Sequence, residues 1–146
     1  MKVRASSGVF RSSVIVVGLL VVSGLLVIEG QAALVSRFVQ PEGGSFRSVN
    51  PNQSPLEALD QGLSLVVYGL FPLTALLVGT LAGALTKKGF VEAVIGLGPL
   101  WFAIVTGGPG GGIQRSLHVT AYLAVAVLGI LIGRRLKRGS TPPSRP

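Results

Sequence analysis

The chain has 146 residues, of which 49% are hydrophobic and only 12% charged, with a formal net charge of +8. Soluble domains carry about 25% charged residues, and here the few charges are gathered between long apolar stretches, which excludes an ordinary soluble domain. Zero cysteines exclude disulfides, thiol catalysis and cysteine-ligated metal, and a single histidine leaves no His-rich metal site.

Lys2, Arg4 and Arg11 precede the first apolar run, which is expected to form a helix over about residues 12–36. A basic start, an apolar run and the small pair Ala32-Ala33 together have the outline of a secretory leader. Glu29 and Gln31 make a poor approach to a cleavage site, so an uncleaved first helix is expected. The longest loop follows. Its strings Pro41-Glu42-Gly43-Gly44 and Asn50-Pro51-Asn52-Gln53-Ser54-Pro55 are rich in turn residues and are expected to break any regular pattern.

Ser54, Pro55 and Glu57 then spell a capping box with proline at the first helical position. Leu56, Leu59 and Leu63 recur at helical spacing, so residues 55–62 read as a short amphipathic lead-in at the outer surface. It feeds a second span at about 63–86, where Pro72 removes one backbone hydrogen bond and predicts a kink. Thr86-Lys87-Lys88-Gly89 is a tight basic turn. A third span at about 90–107 carries Gly96-Leu97-Gly98-Pro99 near its middle, which predicts a bend or local unwinding. A Gly-rich connection from Gly107 to Gly112 leads to a fourth span at about 117–134.

Each span is near or beyond the roughly 18–20 residues that cross a ~30 Å hydrocarbon layer as a helix. The expected fold is all-α: a polytopic membrane protein forming a four-transmembrane-helix bundle, one domain over residues 1–138. The Pro/Ser-rich tail 139–146 is expected to be disordered and cytoplasmic.

Orientation follows from the basic residues. Lys2, Arg4, Arg11, Lys87, Lys88, Arg134, Arg135, Lys137, Arg138 and Arg145 fall on one face, against Arg37, Arg47 and Arg115 on the other. Lys and Arg are retained on the cytoplasmic side, so both termini are expected inside, and heavy use of Gly, Ala, Val and Arg points to a prokaryotic plasma membrane. Tyr68, Trp101 and Tyr122 lie at a similar depth toward the outer side and are expected to form an interfacial belt. The basic residues therefore have an explanation in orientation, and no aromatic-rich basic surface or nucleic-acid motif is present.

Small residues carry the clearest packing pattern. Ala75, Gly79 and Gly83 recur every fourth residue in the second span, as do Gly129 and Gly133 in the fourth. In lipid, such positions allow close backbone approach, either within the bundle or against a docked partner. Three ionisable residues are candidates for ion or charge-pair sites: Glu29, Glu92 and His118. Glu29 lies toward the outer end of its helix, where pairing or snorkelling is easier than ion binding. Glu92 follows Lys88 by four residues, which suits an ion pair, although Gly96, Pro99 and Ala103 on its face also allow it to point inward. His118 reads as an interfacial polar residue.

Chemistry is sparse. Gly107 and Gly112 have the outer spacing of a phosphate-binding loop, but Ile113-Gln114 stand where Lys and Ser/Thr belong, so nucleotide binding is excluded. Five carboxylates and one histidine supply no catalytic constellation, no metal site and no cofactor site, and no enzyme is expected. Glu29 and Glu92 stand on the order of 20 Å apart along the membrane normal, leaving the midplane without an ionisable group. A coupled transporter places its charged site near the midplane. The expected function is therefore a non-catalytic small subunit or assembly component of a membrane complex, with a membrane-protein partner or another copy of itself. A small oligomeric channel or transporter is the alternative, and a holin-like permeabilising protein a lesser one.

Overall fold

The computed structural model describes residues 4–107 and 112–139. The tail beyond Gly139, read above as disordered, and residues 108–111 of the Gly-rich connection lie outside the described residues. The chain is mostly helical. Helix α1 runs Arg4–Val35, a hairpin pairs β1 (Val39–Glu42) with β2 (Ser45–Ser48), and α2 spans Pro55–Leu65. A π turn at Val66–Leu70 joins α2 to α3 (Phe71–Leu85). Then come α4 (Phe90–Gly96), α5 (Gly98–Gly107) and α6 (Gly112–Gly139).

Three helices are long and apolar enough to cross a membrane: Phe10–Val35, Pro55–Leu85 and Gly112–Gly139. This makes the chain a multi-pass membrane protein. The third apolar stretch differs from the expectation of one span, because it is divided at Leu97 into α4 and α5, of 7 and 10 residues. Each piece alone is too short to cross a ~30 Å layer.

The hairpin is an addition to the all-α expectation. Val39 pairs with Ser48, Gln40 with Arg47, Pro41 with Phe46 and Glu42 with Ser45. Two glycines at the tip make this possible, since Gly43 and Gly44 both hold positive φ, at 57° and 85°. A two-residue loop with two positive φ values matches the twist of paired strands, whereas side chains rarely tolerate it. Val39 is buried, which seats the hairpin on the end of the bundle.

The lead-in expected before the second span is instead the start of it. Pro55–Leu85 forms one helical run of 31 residues, begun by the capping box in which Ser54 accepts from the Glu57 N–H and Glu57 reaches back to Ser54. Pro72 is accommodated by the π turn just before it. The Phe71 N–H reaches the Val66 carbonyl, five residues back, so the extra residue lets the helix pass the proline without ending.

Helix α6 lies against α3 along the small residues. A Cβ built on Gly79 or Gly83 would overlap the carbonyl oxygens of Ala126 or Ile130. One on Gly129 or Gly133 would overlap those of Leu76 or Thr80. Partner numbers rise together along both helices, so α3 and α6 run parallel. Helix α1 runs the other way beside α2 and α3: Val35 meets Gly62 and Gly30 meets Leu70. It runs with α4 and α5, since Leu19 packs on Gly96 and Gly24 faces Pro99. Leu97, Leu100, Val78 and Ala75 fill the centre of the bundle and are fully buried.

The close contact has a measurable consequence. Forcing bulk into a packed site costs about 1–3 kcal/mol when side chains can yield, and here the obstacle is backbone. Gly79→Leu and Gly129→Leu are expected to lower the thermal unfolding midpoint in detergent strongly or to prevent folding. Gly18→Ala, where nothing lies within 4 Å, is expected to be neutral or slightly stabilising.

Candidate functional site

The buried carboxylate of Glu92 is the first candidate. The α3–α4 turn aims it. Thr86 Oγ1 donates to the Ala82 carbonyl at 2.7 Å and accepts from the Gly89 N–H at 2.8 Å. Gly89 itself holds φ of 65°, a conformation that lets α4 start within a residue of the turn. Glu92 thereby enters the space beside α1 and is only 5% exposed. Its Oε1 accepts from Ser12 Oγ at 3.1 Å, while Oε2 is buried and has no partner among the described residues.

The expected ion pair with Lys88 is not formed. Lys88 is exposed, and the ion pair found among the described residues is Arg47 with Glu42 on the hairpin, at 3.6 Å. The α4 backbone turns Glu92 inward onto the Gly96 face, away from the lysine. A buried carboxylate with one unpaired oxygen is an expensive feature that calls for an explanation.

Glu29 is exposed on α1 and is not brought near Glu92. His118 is half-buried among aromatic rings, edge-on to Tyr68 at 5.8 Å and stacked on Tyr122 at 5.9 Å. The expected aromatic belt is corrected in part. Tyr68 is exposed, but Tyr122 is buried and its hydroxyl donates to the Val67 carbonyl at 2.6 Å. Trp101 is half-buried and its indole donates to the Val94 carbonyl at 2.9 Å.

These bonds share a cause. In the π turn the Phe71 N–H is taken by Val66, and Pro72 has no N–H to offer, so the Val67 carbonyl loses both neighbouring main-chain donors. Tyr122 supplies one from α6. At the α4–α5 interruption the ladder breaks around Leu97, next to Pro99, and two side chains serve carbonyls on either side of Ile95. Trp101 takes Val94, and the fully buried Ser23 of α1 donates to Gly96 at 2.5 Å. Lipid offers no water to do this work.

A cleft of about 340 Å³ opens beside the π turn, between α1, the α2–α3 run and α5. Val27, Phe71 and Phe102 make it apolar, and Gln31 and Thr106 give it polar groups. Nearby, Arg115 of α6 donates to the Val105 carbonyl at 3.1 Å, holding the last turn of α5 to the start of α6.

Ala75, Gly79, Gly83, Gly129 and Gly133 are all buried, and the four glycines lie at the α3–α6 contact. No residues arranged to hold a metal occur among the described residues. Sequence reasoning passed over Ser12 and Ser23. Their spacing of eleven residues places them on the same side of α1 as the buried Leu19 and Val27, three turns apart. Polar residues on the buried stripe of an apolar helix are the pattern that reveals them. Comparison with protein-family models, with curated proteins and with solved structures finds no match.

Removing the phenol of Tyr122 tests the π-turn account. Tyr122→Phe leaves the Val67 carbonyl without its donor and is expected to cost about 1 kcal/mol, near the usual range for hydrogen bonds in membrane bundles. The check is the denaturation midpoint in detergent. His118→Ala, which removes two ring contacts and no hydrogen bond found among the described residues, is expected to cost less.

Proposed function

We propose that the protein is a four-pass bundle with both termini on the cytoplasmic side, acting as a non-catalytic subunit or assembly component of a membrane complex. The parallel course of α3 and α6 supports the pass count. Two consecutive long helices can run side by side in one direction only if the chain between them returns to its starting level. The segment after α3 makes that return, through α4 and α5 together. Lys87, Lys88, Arg134, Arg135, Lys137 and Arg138 then share one end with Arg11 of α1, and the positive-inside rule makes that end cytoplasmic.

The observation that carries the functional reading is the centre of the bundle. Ala75, Val78, Leu97 and Leu100 close it with fully buried apolar side chains. Glu92 and Ser12 sit at the inner end, away from that centre. A middle packed in this way supports neither conduction nor chemistry within one copy, and leaves the outer faces of the helices as the working surfaces. Gentle solubilisation of native membranes, followed by native gels and mass spectrometry, is expected to show stoichiometric migration with other proteins. Migration alone contradicts the subunit reading.

One observation favours a second reading, a small oligomeric channel or transporter. It is the buried, unpaired oxygen of Glu92. On that reading, Glu92→Gln abolishes flux in reconstituted vesicles while the protein still folds. On the subunit reading, the same variant leaves complex assembly intact.

The absence of cysteine makes orientation simple to test, because single cysteines can be placed without background. Ser48→Cys is expected to react with a membrane-impermeant maleimide added to intact cells. Lys88→Cys is expected to react only after the membrane is opened.

A further inference from the structure

We infer that the Lys87-Lys88 turn and the last turns of α6 together form a binding site for the headgroup of an anionic phospholipid. The positive-inside pattern explains why cations lie at this end of the molecule. It does not explain why two basic segments some 46 residues apart are fastened to each other. Arg134 does this. Its Nη2 donates to the Lys88 carbonyl at 3.2 Å and the Lys87 carbonyl at 3.4 Å, so a guanidinium sits against the turn that carries both lysines. Arg138 lies one helical turn beyond Arg134 on the same side of α6. The turn is held in place by the Thr86 hydroxyl and by the positive φ of Gly89.

This convergence of charge is uncompensated. Lys87, Lys88, Arg134 and Arg138 are exposed, and no carboxylate pairs with them among the described residues. Of the five carboxylates in the chain, Glu29, Glu42, Glu57 and Asp60 are placed toward the other end, and Glu92 is buried against Ser12. A phosphate-bearing ligand is the complement, and the surroundings say which kind. Leu85 and Phe90, each two residues from a lysine of the turn, and Leu131, one helical turn before Arg134, are exposed apolar residues at the same end. A free anion has no use for such a border, whereas acyl chains attached to a headgroup would lie along it. Basic pockets between helices at the cytoplasmic membrane surface bind anionic headgroups on the same physical grounds. The inference is independent of which complex or process the protein serves.

The test uses the full chain, purified in a neutral detergent and stripped of lipid, with native mass spectrometry as readout. Phosphatidylglycerol is expected to bind well above phosphatidylcholine of the same acyl chains. Each cation removed is expected to weaken binding of phosphatidylglycerol roughly fivefold, so Lys87→Gln with Lys88→Gln loses on the order of 25-fold. Both side chains are exposed and their carbonyls, not their ammonium groups, receive Arg134, so the double variant is expected to keep its unfolding midpoint. Arg37→Gln with Arg47→Gln, at the other end, is expected to leave lipid binding unchanged. Equal binding of the two lipids overturns the inference, as does equal loss in both double variants. Displacement of phosphatidylglycerol by millimolar inorganic phosphate also overturns it, by making a free anion the ligand.

Discussion

The structure depends on one contact, the direct approach of the α3 and α6 backbones through Gly79, Gly83, Gly129 and Gly133. Between helices in hydrocarbon there is no hydrophobic gain, because lipid tails are as apolar as the side chains they would replace. What remains is dispersion at short range, and it rewards a surface from which side chains have been removed. The reciprocal overlap that a Cβ would create at each glycine shows how fully this contact uses that opportunity. The parallel direction of the two helices then fixes the rest. The chain between them must return through α4 and α5, and α1 packs on that return segment and on α3 from the other side.

A second constraint is the need to satisfy backbone groups without water. The ladders are interrupted next to two prolines, and each interruption is repaired from a different helix. Tyr122 of α6 serves the π turn, and Ser23 of α1 serves the α4–α5 junction, where the indole of Trp101 also contributes. The bonds from Tyr122 and Ser23 double as tertiary ties, because these donors come from elements distant in sequence. The irregular backbone thus specifies which helix faces which, a role that close-packed leucines perform poorly.

Much of the helical framework was legible because length and hydropathy are set by the bilayer and not by tertiary detail. The capping box at Ser54 and the spacing of the glycines were legible for the same reason, since each is a local pattern with a local cause. The hairpin was not. Its strands are four residues each and mostly exposed, so their sequence carries turn residues without apolar alternation. Gly43-Gly44 is the readable sign, since a pair of glycines that reads as a breaker of structure is also the pair that closes a tight hairpin turn. The burial of Tyr122 was not legible, and Glu92 was left open between a pair with Lys88 and an inward setting, because period and depth say nothing about rotation around the helix axis. Lys88 at four residues from Glu92 satisfied the helical spacing, yet it belongs to a turn whose backbone points it to the outside.

On the reading proposed above, function lies on the outer faces of the helices, since apolar side chains close the interior. The central claim is that α3 and α6 run parallel, because the pass count, the placing of both basic segments at one end and the lipid site all rest on it. Spin labels at exposed positions test it without disturbing the packing. Labels at Leu85 and Leu136 are expected to be close, and labels at Leu85 and Ile113 to be separated by about 30 Å, the rise over some 20 helical residues. The reverse order of distances would make the two helices antiparallel and contradict the account.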